Sequence, residues 1–171
     1  MAAIDMTKVV TVDAVGDKNL RTLSKAQVAQ FKALLAERRS VVSSMVSQAE
    51  SLVSAVPPGE MRRGGLAGLE NAKRNNSELF EDLDAVQLSY AESLEALFNW
   101  ADTQDGKMKL QGGRIFFADE AATMRFQALV KNIETQEGLY NRVVEKVAVK
   151  QQQIRLRDAE MKREAAKILS K

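Results

Sequence analysis

The chain has 171 residues, 25 Lys plus Arg against 23 Asp plus Glu, 45% hydrophobic residues, and neither Cys nor His. Those two zeros exclude Ser-His-Asp and Cys-His triads, Cys- or His-ligated zinc and haem, disulfides, and the Glu-x-x-His motif of di-iron bundles. One ordinary domain accounts for the length, and a net charge of +2 argues against a surface built throughout to hold nucleic acid, though not against a local patch.

Residues 1–23 read as an N-terminal extended segment. Asp5 and Asp13 interrupt its apolar residues, so it carries no signal-peptide pattern. Its β-prone stretch, residues 8–15, is expected to lie beside a hairpin further along the chain and to add a third strand to it, since an isolated hairpin is marginal in water.

Ser24 with Gln27 forms a capping box, and Leu23 facing Val28 forms a hydrophobic staple, so a first long helix is expected over about 24–56. Alternating steps of three and four pick out Val28, Phe31, Leu35, Arg38, Val42, Met45, Ala49, Leu52 and Val56. This is a coiled-coil-like seam about 50 Å long, apolar except at Arg38. Pro57-Pro58 ends it, because proline disfavours helix in the residue before it and removes backbone donors.

Gly59, Gly64, Gly65 and Gly68 weaken the start of the next segment around Arg62 and Arg63. The cluster lacks the Gly-Lys-Ser/Thr of a P-loop and follows no strand, so it reads as a loop or a close helix contact. A second helix is expected over about 66–103, with Leu69, Ala72, Asn76, Leu79, Leu83, Val86, Tyr90, Leu94, Leu97 and Ala101 inward and Asp105-Gly106 as its stop. Its carboxylates Glu78, Glu81, Asp82, Asp84, Glu92 and Glu95 fall mostly off the seam, where solvation and ordinary pKa values are expected.

The helical period breaks at 107–117. Gly112-Gly113 suits a type I′ turn; with those residues as the loop, Leu110 lies opposite Ile115 and Met108 opposite Phe117, four apolar side chains on one face. Lys109 with Phe116, and Gln111 with Arg114, take the other. Asp119 then caps a third long helix over 119–169, about 75 Å. Its seam is nearly all apolar from Phe126 to Val147 and patchy from Lys150 onward.

Short connections make neighbouring helices antiparallel, so the expected fold is mainly α: an elongated up-down-up three-helix bundle over 24–171, with the hairpin between its second and third helices. The run from a long helix through a Gly-turned hairpin into another helix resembles helical domains of bacterial envelope lipoproteins. No lipobox Cys accompanies it, and it implies no activity.

Residues 150–171 hold seven cations against three carboxylates, a +4 end on a −2 body. Arg155, Arg157, Lys162, Arg163 and Lys167 are the candidate contacts there, for a partner or for phosphates of nucleic acid or an anionic membrane. Phe98, Trp100, Phe116 and Phe117 are expected to fill a bundle cap at the hairpin end, and Trp100, Arg114 and Phe116 are the candidate contacts there should Trp100 or Phe116 be exposed. No catalytic constellation, cofactor site or metal site emerges, and no stretch approaches the roughly 20 apolar residues needed to span a bilayer. The expected protein is soluble, in the cytoplasm or exported with any signal removed. It is expected to be a structural or interaction protein that binds a protein partner or itself through the hairpin end and an overhanging end of the third helix. Electrostatic binding through residues 150–171 is the alternative.

Overall fold

The computed structural model describes the backbone of residues 11–169, and the side chains within it except those of 75–79, 158, 161–162 and 164–169. The chain is mainly helical with one small antiparallel hairpin. In order come α1 (Val12–Gly16), α2 (Lys18–Ala55), α3 (Glu60–Asp102), β1 (Met108–Gln111), β2 (Arg114–Phe117) and α4 (Glu120–Leu169).

The N-terminal part departs from expectation. The described part of the 8–15 run is not a third strand: Val12–Gly16 is the short helix α1, and the sheet formed by the described residues has two strands. Residues 8–10 lie outside the described residues. Thr11 Oγ1 accepts from the Ala14 amide at 3.0 Å and caps α1. Residues 18–23, expected to be extended, are the first turns of α2. Asp17 rather than Ser24 caps that helix, accepting from the amides of Asn19 at 2.8 Å and Leu20 at 3.0 Å. A carboxylate at this position also complements the positive helix terminus, which favours the earlier start.

The Pro57-Pro58 stop holds: Val56 is already extended with ψ 135°. α3 begins at Glu60, earlier than the expected 66, and its glycines are helical. At Gly65 a side chain would meet Val53 Cγ1 of α2 at 3.0 Å, so the missing Cβ lets the helices approach. α3 ends at Asp102, where the Thr103 hydroxyl donates to the Trp100 carbonyl at 2.6 Å. Asp119 caps α4, accepting from the Ala122 amide at 2.7 Å.

The hairpin register is Met108 with Phe117, Lys109 with Phe116, Leu110 with Ile115 and Gln111 with Arg114, as the alternation requires. Gly112 and Gly113 both have positive φ, 58° and 71°, which a type I′ turn needs and which glycine adopts without steric cost. α1 packs against both strands.

α2 and α4 both pack along α3. Contacts between α2 and α3 run antiparallel: Arg21 meets Asp102, Lys32 meets Glu95, Arg38 meets Asp84 and Glu50 meets Lys73. The core sits at the hairpin end. Ala14 and Val15 of α1, Val28 of α2, Ala91, Leu94, Leu97, Phe98 and Ala101 of α3, and Leu129 and Ile133 of α4 are buried together.

Candidate functional site

The aromatic residues at the hairpin end divide into two sets. Phe98 is fully buried, and Trp100, Phe117 and Phe126 form a triad joining α3, β2 and α4, with ring centroids 5.2–6.1 Å apart. Such tilted and offset arrangements suit the ring quadrupoles and pin the hairpin to two helices. Trp100 is therefore half-buried. Phe116 does not join the cap: alternation turns it outward, 52% exposed, beside exposed Lys109 and Arg114.

Beneath this end lies a polar cluster that periodicity did not single out. The Arg21 side chain is fully buried; Nε donates to Asp102 Oδ1 at 2.6 Å, Nη1 to the Val15 carbonyl at 2.6 Å, and Nη2 to Asp105. Lys25 Nζ adds a bond to Asp102 at 2.6 Å, and Lys18 lies 3.7 Å from Asp105. Burial acts to raise the Asp102 carboxyl, but the hydrogen bonds from Lys25 and Arg21, with their charges, outweigh it and hold the group below its ordinary value. A guanidinium can serve three acceptors at once because its donors form a fixed fork. The cluster ties α1, α2, the end of α3 and the following turn into one unit.

A second polar layer crosses the middle of the molecule. Arg38, the one polar break in the first seam, donates to Asp84 and to Gln87 Oε1 at 2.7 Å, and Arg39 Nε donates to Asp84 Oδ2 at 2.9 Å. Asp84 is buried, which corrects the expectation of a solvated carboxylate. Burial, then repulsion from Arg39, lower the Arg38 pKa, while Tyr140 acts to raise it. The Tyr90 hydroxyl is pushed up by burial and by the charge of Glu137. Ser93 Oγ accepts from Asn132 Nδ2 at 2.9 Å, linking α3 to α4. Arg38, Arg39, Asp84, Ser93 and Asn132 are thus each matched by a neighbour. Among the described residues no group of three Asp or Glu is placed to hold a metal ion.

Beyond this layer the burial changes character. The first seam is turned inward as expected to Arg38; past it, its members Ala49 and Val56 are half-buried while Val42, Met45 and Leu52 face outward, and Val46 and Val53, off the seam, are half-buried. Val41, Met45 and Leu52 are 51, 63 and 73% exposed, and Val149 and Leu156 of α4 are 56 and 60% exposed. The recess along α4 beside Val149, flanked by Arg142, Lys146 and Lys150, is an open surface feature lined by one helix alone.

Of the candidate residues in the basic end, Arg155, Arg157 and Arg163 are exposed on α4; Lys162 and Lys167 lie on the same helix, their side chains outside the described residues. Trp100 and Phe116 share the hairpin end with Arg114 but point to opposite sides of the sheet. Among the described residues no helix is long and apolar enough to cross a membrane. No protein-family model, no curated protein and no solved structure matches this chain.

Proposed function

We propose that this is a non-enzymatic structural or interaction protein, a helical spacer, adaptor or assembly subunit, whose three long helices run up, down and up as a bundle. Its hairpin end and the far part of α4 meet protein partners. The observation that carries the reading is the set of large apolar side chains exposed to solvent: Phe116 on the hairpin, Val149, Ile154 and Leu156 on α4, and Met45 and Leu52 on α2. Scattered single exposures are ordinary, but grouped ones on helix faces mark contact surfaces. The chemical inventory supports the non-enzymatic part. The chain lacks His and Cys, and the carboxylates Asp84 and Asp102 are neutralised by Arg and Lys.

The test is a photo-crosslinking side chain placed in turn at Phe116 and Ile154, in cells that make the protein. Discrete adducts that vanish when the neighbouring residues Arg114 or Leu156 are changed to Asp are the expected result. Absence of any adduct from both positions overturns the reading.

The exposed Arg155, Arg157 and Arg163 favour a second reading, an electrostatic surface for phosphates. It requires binding of an oligonucleotide or anionic vesicle that weakens steeply with salt and when Arg155, Arg157, Lys162 and Arg163 together become Gln. Salt-indifferent binding rejects it.

A further inference from the structure

We propose that the outward face of α2 between Val41 and Leu52 is covered by the same face of a second copy of the chain, laid antiparallel across a two-fold axis. This rests on the partner-binding reading above and names the partner for one surface.

Three observations point to self-pairing. The first is charge. In a chain where 28% of residues are charged, the stretch between Arg39 and Pro57 contains one ionisable side chain, Glu50, and that carboxylate turns to α3 and accepts from Lys73. An isologous contact sets one patch against itself, so a face carrying net charge of one sign repels its copy, whereas this one carries none. The same lack of cations argues against an anionic lipid surface as the occupant.

The second is spacing. Val41, Met45, Gln48 and Leu52 are separated by four, three and four residues, which places them on one face of the helix. That order reads the same in both directions. An antiparallel copy with the axis midway between Met45 and Gln48 sets each Val41 on the partner's Leu52 and each Met45 along the partner's Gln48. The third is bulk. Ser44, Ser51 and Ala55 flank the apolar side chains and are exposed, so two such helices approach without large residues in the way.

A face of about three helical turns is smaller than the roughly 800 Å² per partner of a standard interface, so the dimer is a weak one, in the micromolar range. Sedimentation of the full chain is therefore expected to show its mass rising from one chain toward two across micromolar to near-millimolar concentrations. Leu52→Glu and Met45→Glu replace side chains that already face solvent, so helical circular dichroism is retained. Each is expected to weaken association at least tenfold.

The absence of native Cys allows a geometric test. When V41C chains are mixed with L52C chains and oxidised, a mixed disulfide dimer is expected. V41C chains alone are not expected to cross-link, because the two sites lie about 16 Å apart along the helix in the antiparallel pair. A chain that stays monomeric throughout, an L52E variant that dimerises like the native chain, or V41C self-linking without the mixed product overturns the proposal. If the chain is monomeric while Phe116 or Ile154 still cross-links to a different protein, self-pairing fails and the partner-binding reading stands.

Discussion

Replacing Arg21 with alanine removes three hydrogen bonds at once and leaves the Val15 carbonyl unsatisfied in a closed site. Breaking a buried charged pair by deleting one partner costs about 3–5 kcal/mol. Asp102 is 40% exposed and keeps Lys25, so the lower end, about 3 kcal/mol, is the expected loss in urea unfolding. Arg21→Lys restores only part of it, since one ammonium cannot span the three acceptors. The same cluster sets a pH response. Because the folded Asp102 carboxyl is held below its ordinary value, its contribution to stability is present above the unfolded range near about 3.9. That contribution is lost as the pH falls through the lower folded value. Urea midpoints measured from pH 7 down to pH 3 are expected to fall less steeply at the acid end for Asp102→Asn than for the native chain.

At the scale of elements, the hairpin and α2 show opposite relations to local signals. Gly112 and Gly113 occupy left-handed conformations, and the alternation of the flanking residues fits the turn, so both act on the same register. Gly112→Ala and Gly113→Ala are each expected to cost about 1–2 kcal/mol. The loss is read from unfolding followed by Trp100 fluorescence, since Phe117 packs on that ring. In α2 the capping box at Ser24 competes with an upstream cap at Asp17, and the upstream cap prevails. An additional turn of helix carries Arg21 to Asp102, a partner 81 residues away that no window around Ser24 contains. Beyond Arg38 the same helix departs from its own seam. Val46 and Val53 are half-buried beside the seam residue Ala49, in place of Val42, Met45 and Leu52, because Arg38 and Arg39 both close on Asp84 and Gly65 admits Val53 against α3.

Across the whole molecule, burial is graded from the hairpin end outward. Ala91, Leu94, Leu97, Phe98 and Ala101 are fully buried, whereas Val41, Met45, Leu52 and Met61 are exposed. Amide exchange follows how much packing must be lost for a segment to open. Amides of residues 91–101 and 129–133 are therefore expected to exchange near the global unfolding rate. Those of 41–55 and 61–72 are expected to exchange faster, by mass spectrometry of peptides from dilute, monomeric protein. At concentrations that favour pairing, the proposed two-fold contact slows exchange in 41–52 selectively.

The sequence by itself determined what depends on neighbours a few residues away: the Pro57-Pro58 stop, the Asp119 cap, the hairpin with its register, and the predominance of helix. Each is a matter of backbone freedom or side-chain periodicity, and each acts before any tertiary contact forms. Of the candidate surfaces, the placement of Phe116 and Arg114 on one face of the hairpin was legible because strand alternation is a local rule, whereas the exposure of Phe116 was not. Tertiary structure alone decided the burial of Arg21 and Asp84 and the outward turn of Met45 and Leu52. A charge belongs in the interior only when its counter-charge arrives there too, and those partners come from distant parts of the chain.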